Sequence, residues 1–208
     1  GLTVQLTDSN SIVLGGSTVT NTYTVIASNG NITQAASSPL VISNAASFTV
    51  NGVGTTITLD DTSNSFGGTV AFAGGALANV TVVDTTTIDL AALNLTTLSV
   101  TATGITQTGA LVVSGATTLV SSGANDITLT NAANNFGGAV SLTSAQNATV
   151  LDVNAIELGA ASITGNLGVT TTAGNISQSG ILSVTGTSAF TTNAAGADIV
   201  LNTSSNAL

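Results

Sequence analysis

The chain has 208 residues, nine acidic groups, and no Lys, Arg, His, Cys, Met or Trp, so its formal net charge is −9. An ordinary globular chain is about one-quarter charged with both signs present; this one is 4% charged and carries one sign only. Nucleic acid and anionic membrane surfaces are therefore repelled, the common metal ligands, general bases and thiol nucleophiles are absent, and no disulfide can form.

Read from the N-terminus, the first distinctive block is LTDSNSIVLGGSTV at positions 6–19, which returns as VVDTTTIDLAALNL at 82–95 and as VLDVNAIELGAASI at 150–163. The next, GNITQ at 30–34, returns as GITQ at 104–107 and GNISQ at 174–178. The third, ITLDDTSNSF at 57–66, returns as ITLTNAANNF at 127–136 and IVLNTSSNAL at 199–208. Three markers in the same order, recurring every ~72 residues, define three units at about 1–76, 77–144 and 145–208.

Inside a unit, short apolar beats arrive every ~7–12 residues, as at Ile105, Leu111 to Val113, Thr118 to Val120, Ile127 to Leu129 and Val140 to Leu142. Alternation within them is that of a strand: Ile127 and Leu129 share one face and Thr128 takes the other. Between beats lie turn-forming clusters such as Ser122-Gly123-Ala124-Asn125, Asn134-Asn135 and Phe136-Gly137-Gly138. Abundant Thr, with Val, Ile and Leu, favours pleated structure. The mean hydropathy of +0.54 argues against disorder. No apolar run reaches the ~18–20 residues of a spanning helix.

A sandwich does not repeat three times at sequence level, and a propeller blade is shorter, about 40–50 residues. The expected fold is all-β: a single β-solenoid over 1–208, with roughly nine coils at about three coils per unit. At about 4.8 Å per coil this makes a rod ~40–45 Å long.

The stretch NNFGGAVSLTSAQNATVLDVNAIELGAASITGNLGVTTTAGNISQSG at 134–180 resembles the shaft repeats of filamentous-haemagglutinin-like bacterial surface proteins. That resemblance implies a right-handed parallel β-helix in a giant adhesin exported by a two-partner or autotransporter route, located outside the cell or on its surface. It implies a structural part and carries no catalytic residues across. Gly1, with no initiating Met and no basic leader, reads as a processed or excised end, and Leu208 stops short of the next repeat start. Neither end shows a distinctive cap. Two readings follow: head-to-tail stacking through open strand edges, or neighbouring coils that belong to a longer array.

Individual residues have plainer roles beside the chemical ones they suggest. Asp8, Asp84 and Asp152 occupy one repeat position; at three coils per unit they would stand ~14 Å apart, too far to share an ion. They read as turn stabilisers, with weak cation binding as the alternative. Asp60-Asp61, the one adjacent carboxylate pair, reads as a turn after Leu59. Asn64, Asn134 and Asn206 are repeat equivalents suited to bonding the backbone at a corner, in stacked ladders. Phe66 and Phe136, replaced by Leu208, read as core plugs. Six Asn-x-Ser/Thr sequons, starting at Asn31, Asn79, Asn94, Asn147, Asn175 and Asn202, are what 20 Asn and 61 Ser/Thr produce by chance. Thr18, Thr20, Thr22 and Thr24 alternate as though lining one face, but their third-unit equivalents are Ser162, Thr164, Asn166 and Gly168.

The sequence thus points to a non-enzymatic structural protein: a solenoid shaft or filament subunit, with no cofactor, no metal and no catalytic residues expected. Its expected partner is more of the same array, end to end, with host-surface or glycan contact as a further possibility. The alternative function is an ice- or glycan-binding solenoid that uses a Thr/Asn-rich face.

Overall fold

The computed structural model describes positions 1–122 and 125–208, so the middle of the expected turn at Ser122 to Asn125 lies outside the described residues. The described chain forms 27 strands. Every strand pair among the described residues is parallel, as stacking successive turns of one coil requires. Two long sheets run the length of the rod: sheet one with 10 strands, from Val4–Asp8 to Ser188–Thr192, and sheet two with 11. Ten rungs in sheet one make nine turns, and at about 4.8 Å each the rod is ~43 Å long. The expected solenoid of about nine coils is the fold observed.

Inward and outward residues alternate along each strand. In Tyr23–Ala27 the residues Tyr23, Val25 and Ala27 are buried while Thr24 and Ile26 are partly exposed. Stacked in register, the inward residues build one core that spans the rod, from Leu14 near the start to Val184 near the end. Because the chain has no Lys or Arg, surface ion pairs contribute nothing along the rod; this core and the ladder hydrogen bonds hold it together. The early coils are plugged by aromatics: Phe48 stacks on Phe72 at 5.9 Å between ring centres and meets Tyr23 and Phe66 edge-on at 6.0 and 6.2 Å.

The expectation of three coils per unit is corrected to three and a half. Ile57, Ile127 and Ile199 are equivalent in sequence, yet Ile57 and Ile199 lie in sheet two and Ile127 in sheet one. Ile199 stands two repeats after Ile57 and seven rungs along sheet two, so two repeats make seven coils and one makes 3.5. Neighbouring units are therefore related by a half turn about the rod axis and a rise of ~17 Å. The physical reason is coil length. One full coil carries the chain only from Thr87 to its in-register partner Gly104, whereas another takes it from Ile32 to Ile57. Tight corners shorten many coils below the third of a repeat that three equal coils would need. At one such corner a Cβ on Gly138 would sit 2.5 Å from the Gly115 carbonyl carbon.

The short third face shows the same half turn. Ser17–Val19, Leu40–Ile42 and Ser65–Phe66 stack at the corner where the chain passes from sheet two to sheet one. In the second unit Leu93–Leu95, Leu111–Val113 and Asn135–Phe136 stack at the opposite corner, on the way from sheet one to sheet two. In the third unit Ala161 to Ile163, Leu182–Val184 and Ala207 return to the first corner. No helix among the described residues is long and apolar enough to cross a membrane.

Candidate functional site: buried amide clamps and an outward hydroxyl row

Each unit uses its most regular polar residues inside the rod. Gln34 leaves the end of strand Ile32–Gln34, and Asn64 lies one coil further on. Their side-chain amides exchange two hydrogen bonds: Gln34 Nε2 donates to Asn64 Oδ1 at 2.6 Å, and Asn64 Nδ2 donates to Gln34 Oε1 at 3.0 Å. Asn64 Oδ1 also accepts from the Leu40 backbone N–H at 2.8 Å, and Asn64 Nδ2 donates to the Leu59 carbonyl at 3.2 Å. Gln107 with Asn134, and Gln178 with Asn206, repeat the arrangement, including the bonds from the Leu111 and Leu182 backbone N–H groups.

The carboxylate of the next coil completes the cluster. The Thr85 N–H donates to the Asn64 carbonyl at 2.8 Å and the Val153 N–H to the Asn134 carbonyl at 2.8 Å. These contacts seat Asp84 and Asp152 beneath the preceding aromatic residues. Asp84 Oδ1 accepts from the Phe66 N–H at 3.3 Å and the Thr86 N–H at 2.9 Å; Asp152 Oδ2 accepts from the Phe136 N–H at 2.7 Å and its Oδ1 from the Asn154 N–H at 2.6 Å. Both carboxyls are almost wholly buried, and Asp84 Oδ2 has no partner among the described residues. Burial raises the pKa of each above the ordinary 3.8, against the lowering effect of their N–H donors. Asp8, in the first coil, is exposed and accepts from the Asn10 N–H at 2.7 Å.

The sequence-derived candidates are placed as follows. Asp8 and Asp152 lie on sheet one and Asp84 at the end of a sheet-two strand, so the three do not form the expected single row. Each accepts a hydrogen bond from the backbone N–H two residues on, as a turn stabiliser does. Asn64, Asn134 and Asn206 do bond the backbone at corners, but each pairs with a Gln instead of stacking on the others. Phe66 and Phe136 are buried at 1% exposure, and Leu208 is 53% exposed. Asp61 ties two neighbouring loops, accepting from the Ser38 and Ser63 N–H groups at 2.7 and 2.9 Å. Beside it Asp60, Asp61 and Ser37 line an open cleft of about 580 Å³. Among the described residues, no three His, Cys, Asp or Glu side chains gather as metal ligands.

The threonines expected on one face are dispersed: Thr18 is in the short sheet, Thr20 and Thr22 are at a corner and Thr24 is in sheet one. Sheet two carries a different hydroxyl row, not visible in the sequence. Thr33, Thr58, Thr81, Ser99, Thr118 and Ser141 face outward in register on six successive rungs. Among the described residues none of these six hydroxyls has a hydrogen-bond partner within the chain. The row ends where the register shifts after Val140. On sheet one the corresponding row is interrupted by Asp89 between Thr69 and Thr106, and by Gly168 after Thr149.

A continuous core, buried polar clamps at the corners and a repeat of 3.5 coils together define a β-solenoid repeat protein. The chain belongs to the family of repeats of unknown function (DUF5649), whose model matches it three times in tandem, at residues 1–73, 77–143 and 145–208. Those limits fall close to the units read from the three markers. Neither a curated protein nor a solved structure matches the chain.

Proposed function

We propose that this chain is a length of rigid shaft in a bacterial surface fibre or giant adhesin of the filamentous-haemagglutinin-like kind, acting outside the cell. The observation that carries the reading is the placement of the most regular polar residues inside the rod. The Gln, Asn and Asp side chains that recur from unit to unit hold corners, and the repeat propagates a single core without interruption. Such a build supplies length and stiffness. We read it as non-enzymatic, with adhesion arising from display and self-association. Electron microscopy of the native protein tests this: straight filaments of uniform width support the shaft, and isolated globular particles or flexible chains contradict it.

A second reading rests on the sheet-two hydroxyl row. Six unpartnered Thr and Ser hydroxyls at about 4.8 Å intervals, on described sheet-two strands that carry no charged residue from Ile32–Gln34 to Val140–Ala145, form a surface for ordered water or a glycan. Thermal hysteresis abolished by Thr118→Tyr supports ice binding; no effect on ice growth and no retention on immobilised glycans removes both forms of this reading.

A further inference from the structure

Asn-Gly occurs twice in the chain, at Asn29-Gly30 and at Asn51-Gly52. Both pairs stand at the same corner, where the chain leaves sheet one for sheet two: the first follows Tyr23–Ala27, and the second follows Ala46–Val50 one coil later. The Ser28 N–H donates to the Asp8 carbonyl at 2.8 Å and the Asn51 N–H to the Ala27 carbonyl at 3.1 Å, so the turns stack directly. A Cβ on Gly52 would lie 3.3 Å from Asn29 Oδ1 and 3.4 Å from the Gly30 nitrogen.

This close stacking requires glycine. A Cβ on Gly30 would run into Ser11, 2.6 Å from its backbone nitrogen, and one on Gly52 would meet Thr55 Cγ2 at 2.7 Å. The equivalents of Gly30 are Gly104 and Gly174, but they follow Thr103 and Ala173 instead of Asn. The third-unit equivalent of Asn51-Gly52 is Asn193-Ala194. Asn29 and Asn51 are exposed, and neither side-chain amide has a hydrogen-bond partner among the described residues. Nor does the N–H of Gly30 or of Gly52. Other asparagines show the contrast. Asn64 and Asn134 are buried with their amides held in the clamps, and after Asn193 the Ala194 N–H donates to Thr192 Oγ1 at 3.4 Å.

We propose that Asn29 and Asn51 are sites of spontaneous deamidation, which turns a neutral corner of the rod acidic as the protein ages. The Gly backbone nitrogen attacks the Asn side-chain carbonyl carbon and forms a C–N bond that closes a five-membered succinimide. The Cγ–Nδ2 bond breaks, and ammonia leaves carrying the proton that the Gly nitrogen gives up. Water then opens the ring at either carbonyl: its hydroxyl joins the carbon, its proton returns to the nitrogen, and the new carboxyl ionises. The product is aspartate or isoaspartate. Water is the one co-reactant, and no side-chain acid or base is needed. Each event adds one negative charge to the −9 of the chain, and no Lys or Arg is present to pair with it. Both sites lie between strands, so the ladders on either side keep their register while the corner gains carboxylates on adjacent coils, beside exposed Asp8 one coil earlier.

The test incubates the intact folded chain in mildly alkaline buffer and follows each Asn by mass spectrometry of peptic fragments, with isoaspartate assayed separately. Acid is expected to replace amide at positions 29 and 51 about tenfold or more faster than at Asn193, one decade or more in rate. Isoaspartate should accompany aspartate, and the rate should rise with pH. Asn29→Gln with Asn51→Gln, both on the exposed corner, should leave the circular dichroism spectrum unchanged and abolish the acidification, since Gln would have to close a larger ring. Conversion at 29 and 51 no faster than at Asn193 overturns the proposal. So does aspartate formed without isoaspartate, or conversion that begins only when the chain is unfolded in denaturant, because the folded corner would then be blocking the attack.

Discussion

Gln107 and Asn134 face each other across adjacent coils and exchange two amide hydrogen bonds, each 2.8 Å long. Asn134 is fully buried, and its remaining capacity is met by the Leu111 N–H and the Leu129 and Leu151 carbonyls. One side chain thus ties three successive coils at a corner where the backbone alone cannot satisfy itself.

Asn134→Ala leaves the Leu111 N–H and the Gln107 amide without partners in a dry corner, and we expect it to cost about 3 kcal/mol. Asn134→Asp keeps the acceptor for Leu111 but cannot donate to Gln107 Oε1 unless protonated, so its deficit should shrink as the pH is lowered. Thermal melts followed by circular dichroism measure both; a loss under about 0.5 kcal/mol for Asn134→Ala would mean that the clamp is incidental.

Acid should stabilise this rod. Burial raises the pKa of Asp84 and Asp152 in the folded chain above 3.8, so folding favours their protonated forms. The stability they contribute is fully present below 3.8 and is lost as the pH rises through the higher folded values. Acid builds up no opposing positive charge on side chains, because the chain has no Lys, Arg or His. The melting temperature is therefore expected to rise between pH 7 and pH 3, and Asp84→Asn with Asp152→Asn to flatten the profile. A melting temperature that falls over that range in the wild type contradicts the account.

The corner glycines should differ in a predictable way. A Cβ on Gly138 would meet the Gly115 carbonyl carbon and oxygen at 2.5 and 2.6 Å, backbone atoms that cannot rotate aside, whereas one on Gly75 meets nothing within 4 Å. We expect Gly138→Ala to cost about 2 kcal/mol, and Gly75→Ala to be neutral or to stabilise by up to ~1 kcal/mol through the unfolded chain. Equal effects in a denaturant titration would show that coil spacing does not depend on that close approach.

Strand pattern, the threefold repeat and coil number were legible because the markers recur in the same order and the alternation of residues such as Ile127, Thr128 and Leu129 is local. The half turn was not. It depends on how much chain each coil consumes, which differs between the short coil from Thr87 to Gly104 and the long one from Ile32 to Ile57, and corner geometry sets that length. The Asp8, Asp84 and Asp152 row failed for the same reason: residues in phase with the repeat are out of phase with the coil. The Thr18 to Thr24 face failed because the chain turns a corner within those seven residues, from the short sheet into sheet one. Gln34, Gln107 and Gln178 recur along with Asn64, Asn134 and Asn206 in the sequence, which is a signal for the clamps. Each pairing bridges a full coil and more of chain, and it emerges only once the coils are stacked.

Distances between spin labels test the 3.5-coil repeat most directly, in a chain that has no native Cys to interfere. Thr33, Thr106 and Ser177 are repeat equivalents at outward positions, on sheet two, sheet one and sheet two in turn. With Thr33→Cys and Thr106→Cys, labels on opposite faces and ~17 Å apart along the axis should lie well beyond about 20 Å from each other. With Thr33→Cys and Ser177→Cys, labels on one face should be separated by seven coils, about 34 Å. A separation of about 14 Å for the first pair, as three whole coils on one face would give, would contradict the half turn.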